Sequence, residues 1–233
     1  MKTLIIIPTY NEELNIAGVI EDVRTTLPEA DIVVIDDGSL DRTLAVARAA
    51  GVTVVSLPFN MGIGAAVQTG YVYARRNGYD IAVQFDGDGQ HRADQLEKLL
   101  MPLKLGNADV VIGSRFLGKG TYVAEMHRYA GIAILSNIIS LCIRHRITDP
   151  TSGFRAINAD VIRFFSDYYP EDYPEPEAIV LLSKAEFRIL EIPVLMRQRM
   201  IGSSSITLLR GVYYMGKVLL AILVDMLKKV SRR

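Results

Sequence analysis

Five short apolar, β-branched runs punctuate the first half of the chain: LIII (4–7), DIVVID (31–36), VTVVSL (52–57), DIAVQF (80–85) and ADVVIG (108–113). Between them, at 12–27, 40–50, 63–77 and 92–104, apolar residues recur three or four apart. The runs have strand length and the intervals have the period of one helical face. This alternation constrains the chain more than any other feature. It predicts an α/β fold with a mainly parallel, mixed sheet of Rossmann-like character and helices on both faces. In such sheets ligands bind beyond the carboxyl ends of the strands.

The residues just after each run are biased in kind. They read PTYNEE, DDGSLD, PFNMGIG, DGDGQH and SRFLGKG, so four of the five segments carry Asp, Glu or Arg. A scaffold sheet needs turns there but not this charge. After about residue 115 the rhythm changes. Residues 124–144 read as a long helix, TDPTSGFRA (148–156) as an irregular polar segment and FRILEIPVLMR (187–197) as a strand. No Gly/Ser-rich linker and no internal repeat marks a boundary, so 1–206 reads as one domain followed by a C-terminal helical segment, 207–233. The apolar run VLLAILV in that segment has seven residues, against about 20 for a spanning helix. Two readings remain for it: packing on the domain, or lying in a membrane interface with Lys228, Lys229, Arg232 and Arg233 near anionic headgroups.

Lys+Arg and Asp+Glu are each 26, which removes any net attraction for nucleic acid. The single Cys142 lies in the apolar run IAILSNIISLCI and reads as a buried thiol. With no disulfide available within the chain, a reducing, cytoplasmic setting is expected. The start, MKTLIIIPTYNEE, is too short in its apolar part for a signal-peptide core and reads as a first strand.

Asp86 and Asp88 lead the candidate chemistry. Positions i and i+2 leaving a strand share a side, and two hard carboxylates suit Mg²⁺ or Mn²⁺. Gln90, two residues on, offers a neutral oxygen. A plain Asp-Gly turn is the competing reading. In DDGSLD, Asp36 and Asp37 suit a base N–H or ribose hydroxyls, and two adjacent carboxylates repel unless something binds them. Ser39 and Asp41 read as caps for the next helix. The glycines Gly62 and Gly64 open a helix in a pattern that superficially resembles a dinucleotide fingerprint, although close helix packing is the favoured role.

In order and spacing, PTYNEE, VIDDGSLD, the glycine helix, QFDGDGQH and GSRF resemble the family-2 inverting glycosyltransferases of GT-A fold, in particular the dolichol- or polyprenyl-phosphate sugar synthases. TDPTSGFRA and RQRMIGSSS extend the resemblance over roughly residues 3–205. The resemblance implies that Pro8, Tyr10, Glu12, Asp37, Asp36 and Gly62 hold the nucleotide, and that Asp86, Asp88 and Gln90 bind a metal on its diphosphate. Arg115 and Arg128 would meet phosphate charge. Asp149 would position or deprotonate the acceptor, its other reading being a turn before Pro150. Arg197, Arg199 and Ser203–Ser205 would form a basic loop over the phosphates, with Arg199 joining Arg115 and Asp149 in catalysis. Relatives often carry lysine where this loop reads GSSSI. Glu175 and Glu177, in an unusually acidic lip, would bind sugar hydroxyls or cap the next helix.

The implied activity is metal-dependent transfer of a hexose, with inversion, from a nucleoside diphosphate sugar to a polyprenyl phosphate at the inner face of the cell membrane. A UDP-sugar is the favoured donor. This would supply lipid-linked sugar for cell-surface glycans. One alternative is direct addition of a sugar to a cell-wall or capsular polysaccharide. A nucleotidyltransferase is more remote, because PTYNEE lacks the glycine-rich basic loop such enzymes show after the first strand. The motifs fix neither the hexose and base nor the oligomeric state, and a homo-oligomer stays open.

Overall fold

The computed structural model describes residues 1–118, 126–171, 174–197 and 208–227, with backbone alone for 126–128 and 208–215. In chain order the elements are β1 (Thr3–Thr9), α1 (Ile16–Thr26), β2 (Asp31–Asp36), α2 (Thr43–Ala49), β3 (Thr53–Ser56), α3 (Ile63–Arg76) and β4 (Ile81–Gln84). A single 3-10 turn precedes α4 (Leu96–Lys104), followed by β5 (Val110–Ser114), α5 (Met126–Ile143), β6 (Arg155–Asn158), α6 (Ala159–Asp167), α7 (Pro174–Lys184), β7 (Ile189–Pro193) and α8 (Leu208–Leu227). Every strand and helix expected from the hydrophobic pattern is present.

The strands form one seven-stranded sheet of order β3-β2-β1-β4-β6-β5-β7. All neighbours are parallel except β6, which runs antiparallel to both β4 and β5. Residues in LIII are buried alternately on the two faces, as a strand period of two requires. Leu4 and Ile6 pack with α3, α5, α6 and α7, while Ile5 and Ile7 pack with α1 and α4. Covering both faces is what makes these strands read as continuous apolar runs.

Strand order reverses beside β1, which has β2 on one side and β4 on the other. The loops after β1, β2 and β4 therefore converge on one rim. Because β6 runs the opposite way, the loop that precedes it, TDPTSGF, reaches that same rim. Here the sequence reading was incomplete. The last residues of the segment expected to be irregular form β6, whose four residues RAIN are too few to show a period. Helix α6 was also not foreseen, and the helix expected after the acidic lip, α7, begins already at Pro174, so Glu175 and Glu177 lie inside its first turn rather than before it.

Of the two glycines expected to serve packing, Gly64 does, whereas a Cβ at Gly62, just before α3, would meet nothing and that glycine answers to its positive φ; Gly70 packs closely as well. A Cβ at Gly70 would lie 2.3 Å from Ile6 Cγ2, and one at Gly64 would lie 2.4 Å from the Glu171 carbonyl. Helix α8 packs on α7 through buried Val218 and Ile222 and turns Leu220, Leu223, Val224 and Leu227 outward. Lys184 Nζ of α7 donates to the Asp225 and Met226 carbonyls at 2.7 and 2.6 Å, placing a cation at the negative end of the α8 dipole. No helix of the described residues is long and apolar enough to cross a membrane. Lys228, Lys229, Arg232 and Arg233 lie outside the described residues. Cys142 is half-buried rather than buried.

Candidate active site

The DGDGQH turn leaves β4 with its first aspartate held from several sides. The Asp86 N–H donates to His91 Nδ1 at 2.9 Å, so the neutral ring carries its proton on Nε2. That nitrogen stands 3.5 Å from Asp86 Oδ2. His91 is buried, stacked on Phe154 with centroids 4.6 Å apart and edge-on to Phe85. Gln84 Nε2 donates to Asp86 Oδ1 at 3.3 Å. Gly153 backs the same carboxylate, for a Cβ there would lie 3.2 and 3.3 Å from its two oxygens. Asp88 Oδ1 accepts the Gln90 N–H at 3.0 Å, and Gly89 supplies the left-handed conformation, φ +76°, that closes the turn.

Asp86 and Asp88 thus offer hard oxygen donors, and the Asp86 side chain is 35% exposed. Among the described residues no three His, Cys, Asp or Glu side chains come together to enclose a metal. A divalent cation fits here as one bound by two carboxylates that takes its remaining oxygens from a ligand, the pattern of Mg²⁺ and Mn²⁺ with phosphates.

On the other side of the rim the loops after β1, β2 and β3 are tied together. The Asn11 N–H donates to Ser39 Oγ and the Glu12 N–H to Thr43 Oγ1, at 3.0 and 2.7 Å. Asp37, buried, accepts the Met61 and Gly62 N–H groups at 2.7 and 2.9 Å, and Gly62 meets it with φ +92°. Asp36, also buried, accepts the Ser56 hydroxyl at 3.0 Å and the Ser39 N–H at 3.3 Å. The repulsion expected of this adjacent pair is therefore met by protein donors on each, without an outside ligand. Ser39 does not cap α2. Asp41 does so through the Thr43 N–H, 2.9 Å. Burial pushes the Asp41 carboxyl up, but the Thr43 hydrogen bonds outweigh it and hold it below its ordinary value. Glu12 accepts from Asn15 Nδ2 at 2.7 Å. Pro8 is buried within β1, and Tyr10 stands 39% exposed just beyond it.

Asp149 is fully buried and committed. Its Oδ2 accepts Arg115 Nε at 2.7 Å and the Arg115 N–H at 3.1 Å; its Oδ1 accepts Arg115 Nη2 at 2.7 Å and the Thr151 hydroxyl at 3.2 Å. The loop that carries it is clamped from β7, where Glu191 accepts the N–H groups of Thr148 and Asp149 at 2.7 and 2.9 Å. The expected role was to position or deprotonate the acceptor; what the geometry displays is Asp149 holding the Arg115 guanidinium. Sequence reasoning missed Glu191, whose one signal was a lone acid in the apolar strand FRILEIPV. It also left His91 without a role although the residue stands in the quoted motif.

A cavity of about 370 Å³ runs between α5 and the segment entering TDPTSGF, with Phe116, Tyr129 and Ile132 on one part and Asn137, Ser140, Arg146 and Thr148 on the other. Arg197 begins beside the DGDGQH turn, its N–H donating to the Gln90 carbonyl at 2.8 Å. Its guanidinium pairs with Asp22 of α1 at 2.6 Å instead of turning over the rim. The Arg128 side chain, Arg199 and Ser203–Ser205 lie outside the described residues.

Comparison with known proteins gives consistent results. The model of "Glycosyl transferase family 2" matches residues 4–165. The chain is 32% identical over 216 residues to a polyprenol monophosphomannose synthase of Mycolicibacterium smegmatis, covering 88% of this chain and 81% of that one. It is 33% identical over 223 residues to an undecaprenyl-phosphate mannosyltransferase of Micrococcus luteus, covering 89% and 88%. Among solved structures it is similar in fold to glucosyl-3-phosphoglycerate synthase from Mycobacterium tuberculosis, in complex with Mn²⁺, UDP and glucosyl-3-phosphoglycerate. The TM-score is 0.74, with 18% identity over 97% of this chain and 80% of that one.

Proposed function

The chain belongs to glycosyl transferase family 2, and from that premise we propose that it moves a hexose, with inversion, from a nucleoside diphosphate sugar to a polyprenyl phosphate. The favoured donor is a UDP-sugar. The observation that carries the acceptor class is the state of Asp149. A neutral sugar hydroxyl needs a base to take its proton, whereas a phosphate monoester, with a second pKa of about 6, arrives largely ionised. Asp149 holds Arg115 through two parallel hydrogen bonds, so taking a proton would break a buried ion pair. An acceptor that brings its own negative charge suits this site.

In this reading Asp86, Asp88 and Gln90 hold Mg²⁺ or Mn²⁺, which when bound neutralises charge on the departing diphosphate. The metal and UDP bound by the solved neighbour support that choice. Asp149 fixes the plane of the Arg115 guanidinium. Arg115 then offers a preorganised cation to phosphate oxygens with no reorganisation during the reaction. Arg128 of α5, together with Arg199 and Ser203, would add phosphate contacts. Pro8, Tyr10, Glu12, Asp36, Asp37 and Gly62 shape the nucleoside side. The amphiphilic cavity along α5 offers a path for a phosphate with an apolar tail, and the outward leucines of α8 favour a peripheral position at the inner face of the membrane.

The test is transfer of labelled sugar from UDP-glucose, UDP-galactose or GDP-mannose in the presence of Mn²⁺, with undecaprenyl or dolichyl phosphate as acceptor. A labelled lipid phosphodiester that fails to form when the metal is chelated is the expected product. Label entering only polysaccharide would move the acceptor to a glycan, and release of labelled sugar 1-phosphate would indicate nucleotidyl transfer.

A further inference from the structure

One buried cation lies close to the candidate site without belonging to it as described. Arg155, 2% exposed, stands on β6 directly opposite Gln84 of β4, two residues before Asp86. Its Nε donates to the Ser152 carbonyl at 2.7 Å, and its Nη2 donates to the carbonyls of Pro150 at 3.2 Å and Glu175 at 2.8 Å. A single guanidinium thus ties the start of α7 to the loop carrying Asp149. The register places this tie beside the base of the metal turn. The segment after α6 is held separately, where the Pro170 and Glu171 carbonyls lie against Gly64 of α3.

This anchorage holds the Glu175 backbone, and the residue is half-buried. Burial pushes its carboxyl above its ordinary value; Arg155 opposes the rise, the Asp86 charge adds to it and Arg115 opposes it. The charges of Asp86 and Arg115 are thus both felt at this carboxyl. Each other carboxylate named at the rim has a donor from another residue: Asp36 from Ser56, Asp37 from Met61 and Gly62, Asp86 from Gln84, Asp88 from Gln90 and Asp149 from Arg115. Among the described residues, the hydrogen bond found for the Glu175 carboxyl is to its own N–H.

We propose that Glu175, held by Arg155 at the first turn of α7, contacts the hydroxyls of the hexose attached to the donor diphosphate and so sets which sugar is accepted. This rests on the reading of the site as one for a nucleoside diphosphate sugar. The chemistry follows from position. Beyond the diphosphate the next group of the donor is the sugar, and a carboxyl beside it can engage two neighbouring hydroxyls through its two oxygens. A site built to hydrogen-bond hydroxyls rejects a ligand that presents them wrongly, because a buried polar group is then left unpaired. Acidic residues also suit the first turn of any helix. That general role requires neither the Arg155 anchorage nor proximity to Asp86 and Arg115.

Calorimetry on the full chain with Mn²⁺ separates the possibilities. UDP, UDP-glucose, UDP-galactose, GDP and GDP-mannose are titrated into the wild type, E175Q and E175D, with thermal unfolding as a check on folding. The expected result is unchanged affinity for the bare nucleotide in all three proteins. The extra affinity given by the preferred sugar, and its preference over the epimer, should fall by about tenfold in E175Q and partly return in E175D. Equal sugar preference in wild type and E175Q overturns the role of Glu175 and leaves the proposed function intact. So does a loss of bare-nucleotide affinity as large as that of the sugar-bearing ligand, which would mark a purely structural effect. Absence of nucleotide binding by the wild type overturns both.

Discussion

A methyl group added at Gly153 would stand 2.7 Å from Gln84 Nε2 and 3.2 Å from Asp86 Oδ2. Neither neighbour has room to retreat, because Gln84 is buried and the Asp86 N–H is fixed on His91. Gly153→Ala is therefore expected to turn the Asp86 carboxylate and weaken Mn²⁺-dependent UDP binding by about tenfold, within the 1–3 kcal/mol usual for overpacking. Titration of UDP at saturating and zero Mn²⁺ measures this, and an unchanged metal-dependent increment would contradict it. At this scale the sequence revealed residue types but not which oxygens were already in use. Asp86 stood out as a candidate from DGD, and Asp149 through the family resemblance of TDPTSGF. That Asp149 is bonded to a guanidinium 34 positions away, or that Asp37 is satisfied by the N–H groups of Met61 and Gly62, was not legible. Side-chain partners distant in sequence leave no local period to read.

At the level of elements, the parallel first half was fully legible because strands covered on both faces announce themselves as unbroken apolar runs. Strand β6 was hidden by its shortness and by the polar loop before it, and α7 by the prolines and acids of its opening turn. Helix α8 was legible as a helix but its faces were not. The structure assigns Val218 and Ile222 to α7 and leaves Leu220, Leu223, Val224 and Leu227 outward. If that outer face meets lipid, Leu220→Glu with Leu223→Glu should reduce co-sedimentation with vesicles of anionic phospholipid by about tenfold or more, since each leucine forgoes about 1.5 kcal/mol or more of burial. Nucleotide binding should stay as in the wild type. Vesicle binding that withstands both substitutions would remove α8 from the membrane.

Seen as a whole, the molecule joins a parallel unit, β3-β2-β1-β4, to a second group of strands, β5 and β7, through a single antiparallel strand. That strand also brings the Asp149 loop to the rim where the DGDGQH turn lies. The order of synthesis makes this seam a late event. When the ribosome has made the chain as far as Ile143, β4 has one open edge and β5 has neither of its partners, since both β6 and β7 are still to come. Unpaired strand edges of apolar sequence are templates for aggregation. A fragment ending at Ile143 should therefore pellet under conditions in which the full chain remains dispersed; a monomeric, cooperatively unfolding fragment would refute this. Half of the nucleotide rim is thus made early, yet the newborn chain must be kept from its neighbours until four residues, RAIN, arrive to close it.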